Sequence, residues 1–133
     1  MENFEIYPIS PVSKPRQTIS DKWKVRPQVA KYRAFADIVR LHKVFIPENY
    51  HIIFVLPMPQ TWSKRKKEKF CGSPHRQRPD KDNLEKALLD AIHKEDSMIW
   101  DGRVTKLWGY SGLIMICEIE KPFDLSHFLS KKV

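Results

Sequence analysis

The sequence predicts an α/β (α+β) domain in which a mixed β-sheet is packed by two main helices. Three observations predict this fold class. Two segments carry apolar residues at helical spacing, four segments are short and rich in β-branched or aromatic residues, and the two kinds are interspersed along the chain. Because 133 residues suffice for one hydrophobic core, we expect a single domain over residues 1–133.

The N-terminal half predicts a strand, a helix and a second strand. Apolar and polar residues alternate over residues 3–8, and the proline-rich, basic segment that follows is typical of an extended loop. From Gln28 to about Val44, apolar residues recur every three or four positions, which predicts an amphipathic helix with a basic opposite face. The sequence YHIIFVLP at 50–57 indicates a buried strand.

The C-terminal half predicts a long loop followed by a helix and two strands. Residues 58–81 show no periodicity, and so long a structureless stretch within a domain indicates a functional loop. A helix is predicted from about Asn83 to Lys94. Segments 103–110 and 113–120 flank a Ser-Gly pair and predict an antiparallel hairpin, and a short helix is predicted within 124–132.

The bulk composition indicates a polyanionic partner. A net charge of +8 favours nucleic acid first and an anionic membrane surface second. No apolar run approaches the roughly 20 residues of a membrane-spanning helix, and the first ten residues lack the pattern of a signal peptide. The two cysteines are far apart and predict no disulfide framework. We therefore expect a soluble, cytoplasmic protein with no membrane partner.

One segment reverses the charge of the chain. From Asp80 to Asp101 there are seven acidic residues and only three basic ones, so this acidic window carries −4 and the remainder of the chain +12. The acidic residues are Asp80, Asp82, Glu85, Asp90, Glu95, Asp96 and Asp101. Carboxylates repel DNA, so their concentration in a basic chain calls for a physical reason.

A purely structural interpretation accounts for part of this window. Asp82, Lys86 and Asp90 lie four residues apart on one helix face, which is commonly a solvated surface. Asp82 and Glu85 are also spaced to cap the start of the helix. Each residue taken singly is explained in this way.

A metal site explains the combination better. Asp80 has no capping role to explain it, and it lies two residues from Asp82, so in an extended segment both carboxylates point to one side. Asp96 lies beyond the helix, where it cannot pair along it. Three carboxylates that can meet provide the oxygen ligands that select Mg²⁺ or Mn²⁺, and such an ion polarises phosphoryl oxygens and activates water.

The string RPDKDNLEKALLDAI…EDSMI resembles the RusA family of Holliday junction resolvases, the crossover junction endodeoxyribonucleases. The family pattern joins R-x-D-x-D-N-L, a Lys four residues after the second Asp, an Asp four further on, and an acidic pair followed by a small residue and an apolar pair. The matching residues are Arg78, Asp80, Asp82, Asn83, Leu84, Lys86, Asp90, Glu95, Asp96 and Ile99. The segments SPVSKPR and MPQTWSKRKK look similar to phage-type members.

The resemblance implies a RusA-like fold and a metal-dependent endodeoxyribonuclease of DNA recombination and repair. It implies that Asp80, Asp82 and Asp96 are catalytic metal ligands, with Mg²⁺ as the ion and Mn²⁺ as a possible substitute, and that Lys86 is an essential catalytic-site lysine. It also implies a homodimer that binds four-way junctions and cuts two strands symmetrically, in the cytoplasm of a bacterium or a phage-infected host cell.

The third ligand has a rival. Many family members have a longer connection, often with glycine, between the helix and the acidic pair. The connection is short here, which leaves Asp101 as an alternative to Asp96. Asp96 is preferred because EDSMI fits the pattern and because Asp101-Gly102 is typical of a turn.

Basic residues outside the acidic window are the predicted DNA contacts. A run of charges is usually a solvated surface, but beside a carboxylate site contact with phosphates is favoured. The predicted contacts are Lys14, Arg16, Lys64, Arg65, Lys66, Lys67, Lys69, Arg76 and Arg78. Trp62 and Phe70 are equally compatible with base stacking and with core packing. Lys106 is compatible with a phosphate contact and with an exposed strand position.

Two other functions remain open on the sequence alone. One is a less selective nuclease that acts on other branched DNA, such as flaps or replication forks. The other is a non-catalytic DNA-binding protein, in which the acidic window is only a helix face. Cutting of a four-way junction in the presence of Mg²⁺ separates a nuclease from the binding protein, and cleavage assays on paired junction and duplex substrates measure the selectivity of the nuclease.

Overall fold

A four-stranded mixed sheet and two long helices form the framework of the protein. This computed structural model describes residues 3–15, 27–121 and 123–129. In chain order the elements are β1 (Glu5–Tyr7), α1 (Pro27–Leu41), β2 (Asn49–Pro57), α2 (Lys64–Phe70), α3 (Lys81–Ala91), a 3₁₀ turn (Asp96–Met98), β3 (Asp101–Gly109), β4 (Leu113–Glu118) and α4 (Ser126–Leu129). The predicted fold class, a small α+β domain on a mixed sheet, is confirmed.

The strand order is β1-β4-β2-β3, with β2 in the interior of the sheet. β2 pairs in parallel with β3 and antiparallel with β4, which in turn pairs antiparallel with β1. The predicted hairpin of segments 103–110 and 113–120 is therefore wrong, because β2 lies between these two strands. β2 is apolar along most of its length, and such a strand buries most surface when both of its edges are paired.

The short connection from β3 to β4 crosses the end of β2. The amide of Met58, the first residue after β2, donates to the carbonyl of Gly109 at the end of β3. Gly112 then passes close to the N-terminal segment, because a Cβ at this position would lie 2.5 Å from the Cα of Ser10. The Ser-Gly pair thus permits a crossing between strands that are not neighbours.

The core lies between one face of the sheet and helices α1 and α3. The core-facing residues of β2 alternate and are Tyr50, Ile52, Phe54 and Leu56. The helices are also joined directly, since the Tyr32 hydroxyl donates to the carbonyl of Ala87 (3.1 Å) and Nε of Arg40 donates to the carbonyl of Ala91 (2.7 Å). α3, which begins in the acidic window, is therefore fixed to both the sheet and α1.

Most predicted elements are confirmed with shifted ends. Both N-terminal strands and the short C-terminal helix are present. The first helix ends at Leu41 and not near Val44, and the second begins at Lys81 and ends at Ala91, where the prediction was Asn83 to Lys94.

The long loop predicted for residues 58–81 is wrong in part, because it contains the helix α2. The hydroxyl of Ser63 caps this helix by accepting from the amide of Lys66 (3.2 Å). Its Lys, Arg and Glu residues favour a helix intrinsically, but α2 buries none of them completely. Because no face of α2 is buried, its sequence has no apolar periodicity from which the helix could be predicted. Within the ranges that the structure describes, no helix is long and apolar enough to cross a membrane.

Candidate functional site

The acidic window covers the start of α3, its exposed face and the turn that follows. Asp80 occupies the N-cap position of α3, although its carboxylate makes no capping hydrogen bond. The prediction that Asp82 caps the helix is therefore wrong, because Asp82 lies within the first turn. Its Oδ1 accepts from the amide of Asn83 (3.0 Å). Both carboxylates are exposed at the positive end of the helix dipole.

Two surface clefts meet at Asp82. The first, which we name the Asp80 cleft, has a volume of about 560 Å³ and contains Asp80 and Asp82 beside the side chain of Lys106. The second, the Asp96 cleft, has a volume of about 470 Å³ and contains Asp82, Lys86 and Asp96. Asp82 lines both clefts and is therefore the carboxylate that they share.

Lys86 connects the helix face to the 3₁₀ turn. Its ammonium donates to the carboxylate of Asp96, and it forms an ion pair with Asp90 at 3.2 Å, which is the predicted partner of Lys86. The hydrogen bonds that Lys86 donates to Asp96 and then to Asp90 raise the pKa of Lys86 above its usual value. Lys86 is therefore fully charged and its exposed ammonium lies beside the Asp96 carboxylate.

A further cation stabilises this face from a distant part of the chain. Nζ of Lys14 donates to Asp90 at 2.5 Å. Burial opposes ionisation of Asp90, but hydrogen bonds from Lys14 and Lys86 prevail and hold the pKa of this carboxyl below its usual value. Lys14, predicted to contact DNA, thus has an intramolecular partner in this state.

The three predicted metal ligands line the two clefts in pairs that share Asp82. Asp80 and Asp82 share one cleft, and Asp82 and Asp96 share the other. Among the described residues, no three acidic, histidine or cysteine side chains are grouped closely enough to hold a metal ion. The residue types themselves suit a hard divalent cation, since all three predicted ligands are exposed carboxylates.

The rival ligand Asp101 lies elsewhere. It is the first residue of β3, where it pairs in register with Asn49, and it lines neither cleft. The prediction that Asp101-Gly102 forms a turn is wrong, because Gly102 is also within β3 and is paired with Tyr50. Parallel pairing with β2 extends the strand through this position.

Glu85 has a different role from the predicted helix cap. Its carboxylate accepts a hydrogen bond from the hydroxyl of Tyr50, a core residue that is 1% exposed. Burial, and next the hydrogen bond to Glu85, raise the pKa of the Tyr50 hydroxyl. The prediction was wrong because the partner of Glu85 lies on β2, 35 residues away in sequence.

Lys106 is a site residue whose interactions the sequence left undecided. It lies on β3, and its Nζ donates to the carbonyls of Gln77 (2.6 Å) and Pro79 (2.7 Å), immediately before Asp80. Burial lowers the pKa of its ammonium, while the nearby Asp80 carboxylate opposes this effect. No signal in the sequence joins a lysine on a strand to backbone carbonyls of a distant loop.

Apart from Lys14, which pairs with Asp90, the predicted DNA contacts that the structure describes form two groups. The α2 group is Lys64, Arg65, Lys66 and Lys69, which are exposed, and Lys67, which is half-buried. The second group, Arg76 and Arg78, is exposed along the Asp80 cleft. Arg16 lies outside the described residues.

The two aromatic residues that flank the basic run pack within the protein. The rings of Trp62 and Phe70 lie 5.5 Å apart, and Trp62 also contacts Trp108 at 4.9 Å. The ammonium of Lys66 lies 4.2 Å from the centroid of the Trp62 ring. The packing alternative therefore describes both aromatic residues, and their contacts attach the basic helix α2 to the end of the sheet.

The sequence matches the model of a known protein family. The family model described as Endodeoxyribonuclease RusA matches residues 8–117, which is most of the chain. No curated protein matches the chain.

Proposed function

Because the chain belongs to the RusA family of endodeoxyribonucleases, which hydrolyse phosphodiester bonds of DNA, we propose that it resolves Holliday junctions by paired, symmetric cleavage during DNA recombination and repair. Enzymes of this family act on branched DNA junctions, and they generally depend on a divalent metal ion. Membership of an enzyme family favours an enzyme over the alternative of a non-catalytic DNA-binding protein. A less selective branched-DNA nuclease is the remaining alternative.

The proposed metal ligands are Asp80, Asp82 and Asp96, and the proposed ion is Mg²⁺, with Mn²⁺ as a substitute. The observation that carries this proposal is the position of Asp82 between the Asp80 cleft and the Asp96 cleft. An ion bound there would supply Lewis-acid polarisation of the scissile phosphoryl group and a more acidic water. The carboxylates would hold the ion, and its charge would offset part of the repulsion between the acidic window and DNA.

Lys86 is the proposed catalytic lysine. Its ammonium is exposed and charged, and it already lies beside Asp96. It can therefore orient that carboxylate, or neutralise charge on the scissile phosphate when DNA is bound. Both roles require a positive charge at this position, so an uncharged residue should not replace Lys86 in either role.

The basic residues of α2 and of the Asp80 cleft are proposed to bind the DNA backbone. α2 presents four exposed cations and is attached to the sheet by its flanking aromatic residues. Arg76 and Arg78 would hold phosphates directly beside the carboxylates. Lys14 is paired with Asp90 in this structure, and Arg16 lies outside the described residues, so contact of these two residues with DNA stays a prediction.

A homodimer is proposed because paired cleavage of two strands requires two active sites. Each chain of 15.8 kDa carries one copy of the acidic window. Two copies related by a two-fold axis match the symmetry of a four-way junction. The expected mass in solution is twice that of one chain.

Asp82→Asn tests the proposed site, since this variant removes the ligand common to both clefts. With Mg²⁺ we expect it to reduce cleavage of a four-way junction by more than about a hundredfold, because even groups that only support metal ligands contribute 10- to 100-fold. Junction binding without metal should be retained. The measurements are cleavage rates on junction and linear duplex, and binding by mobility shift.

Asp37→Asn is the matched control, because Asp37 is an exposed carboxylate on α1 that lines neither cleft.

A mixture of native and Asp82→Asn chains should also give singly nicked junctions, because each mixed dimer has one active site. Native cleavage rates for Asp82→Asn would overturn the metal-site assignment. Equal cutting of junctions, flaps and forks by the native protein would favour the less selective nuclease.

A further inference from the structure

Lys106 ties the segment before Asp80 to the edge strand of the sheet. The backbone begins this attachment, since the carbonyl of Lys106 accepts from the amide of His75 (3.0 Å), and Pro74 is bridged to Leu107. The side chain completes it, because Nζ donates to the carbonyls of Gln77 and Pro79 at 2.6 and 2.7 Å. One residue therefore holds the segment from His75 to Pro79 at three points.

The last of these points adjoins a proposed metal ligand. Asp80 follows Pro79 directly, and its own carboxylate makes no capping hydrogen bond to α3. Its position thus depends on the backbone on either side. On the C-terminal side the first turn of α3 holds it, through the bond from the Leu84 amide to the Asp80 carbonyl (3.2 Å). On the N-terminal side the hydrogen bond from Lys106 to Pro79 does so.

We propose that Lys106 is a positioning residue, which holds the backbone of residues 77–80 and thereby places the Asp80 carboxylate for metal binding. The inference rests on the proposed role of Asp80 in the proposed function. Lys106 is then neither a phosphate contact nor simply an exposed strand residue, the two roles that the sequence left open. Two of its three ammonium donors are used by carbonyls of its own chain. The burial that lowers its pKa agrees with an ammonium withdrawn from solvent.

Lys106→Met and Lys81→Met form a matched pair for the test. Lys81 adjoins Asp80 in sequence and lines the same cleft, but it is exposed and is not the residue that bonds the Gln77 and Pro79 carbonyls. Each variant removes one positive charge near Asp80. Loss of a nearby positive charge alone would strengthen binding of a cation, whereas loss of a positioning residue would weaken it. The two explanations therefore predict opposite signs.

The primary measurement is Mn²⁺ binding to the full chain without DNA, followed by electron paramagnetic resonance of the unbound ion. We expect Lys106→Met to weaken Mn²⁺ binding by about tenfold or more, as for other groups that support metal ligands. Lys81→Met should bind Mn²⁺ as tightly as the native chain or more tightly. Lys106→Arg, which keeps the charge and the donors, should recover most of the lost affinity.

A second measurement does not depend on the metal. Hydrogen exchange of the hydrogen-bonded amides of His75, Gln77 and Leu84, which lie in and next to this segment, should become faster in Lys106→Met and stay unchanged in Lys81→Met. If Lys106→Met does not fold, Lys106→Gln takes its place and is expected to change both measurements in the same direction. Native-like Mn²⁺ affinity together with native-like exchange in Lys106→Met would overturn the proposal.

Failure of the proposed function would give a different result. If the native chain binds no Mn²⁺ and cuts no junction, the metal-site assignment is wrong, and the exchange measurement still decides whether Lys106 positions the segment. If the native chain binds Mn²⁺ and cuts junctions while Lys106→Met does so equally well, only the role of Lys106 is wrong.

Discussion

His75 is a buried residue at the point where the basic segment meets the sheet. Its ring is 5% exposed and lies 4.0 Å from the ring of Trp108, centroid to centroid. Burial, and next the nearby ammonium of Lys106, lower the pKa of His75 below its ordinary value of 6.5. The imidazole is therefore packed as a neutral aromatic ring within a group of cations.

This position makes part of the stability dependent on pH. The unfolded chain binds a proton on this histidine at a higher pH than the folded chain does. The contribution of His75 to the free energy of unfolding is therefore complete above about pH 6.5, and it is lost as the pH falls through the pKa of the folded state. We expect the melting temperature of the native protein to fall more between pH 7.5 and pH 5 than that of His75→Phe, which keeps an aromatic ring beside Trp108. Equal decreases in both proteins would contradict this expectation, and titration of the ring by NMR reports its pKa directly.

The interactions of single residues were predictable where the partners lie close together in the sequence. The spacing of Asp80 and Asp82 and the pairing of Lys86 with Asp90 both follow from short sequence intervals. The interactions of Lys106 and Glu85 were not predictable, because their partners lie 27 to 35 residues away. A single sequence does not reveal contacts between residues so far apart.

At the scale of elements, both long helices end in the same way without the usual residue. After α1, Lys43 has a positive φ of 52°, and after α3, His93 has one of 56°. In each case the next amide bonds to a carbonyl five residues earlier, Val44 to Val39 and Lys94 to Leu89, as in a Schellman motif. Glycine normally marks this position, and its absence explains why both helix ends were predicted three residues too late.

Lys43→Gly is expected to stabilise the protein. The left-handed conformation costs a lysine roughly 1–2 kcal/mol, and the greater freedom of glycine in the unfolded chain offsets about half of this. A net gain of about 0.5–1 kcal/mol corresponds to an increase of about 2–5 °C in melting temperature. Arg33→Gly, at an exposed position within α1, is the control and should lose about 1 kcal/mol. A lower melting temperature for Lys43→Gly would contradict the assignment of this helix end.

Elements were predictable where burial creates a pattern, and not elsewhere. β2 and both long helices bury one face, so their apolar residues recur with the period of the element. α2 lacks such a face, and its helix follows from the Ser63 cap and from intrinsic propensity. Strand pairing was not predictable from adjacency, since β3 and β4 are consecutive but both pair with β2.

At the scale of the whole molecule, the fold keeps the separation of charge that the sequence displays. The acidic window forms the start of α3 and the turn after it, while the exposed cations of α2 occupy a separate helix. The sequence predicted this separation, because both segments are short and continuous. It did not predict that Arg76 and Arg78 line the same cleft as Asp80, which depends on how β3 holds the intervening segment.

If α2 binds the DNA backbone, its cations should determine the salt dependence of binding. Each phosphate contact on a duplex contributes about 0.9 to the slope of log affinity against log salt concentration. Arg65→Gln combined with Lys69→Gln, two exposed positions four residues apart on α2, should therefore reduce that slope by up to about 2. Because phosphate contacts carry no sequence information, the reduction should be similar on junction and duplex arms of any sequence.

The matched control removes the same charge elsewhere. Arg33→Gln with Lys43→Gln also deletes two exposed cations, but these lie on and just after α1 and line neither cleft. Binding is measured by fluorescence anisotropy without metal, at several salt concentrations, so that cleavage does not interfere. If the control pair lowers the slope as much as the α2 pair, the dependence reflects the net charge of +8 as a whole, and α2 is not a DNA-binding surface. If only the α2 pair lowers it, phosphates contact that helix, and the basic excess of the chain acts at a defined surface.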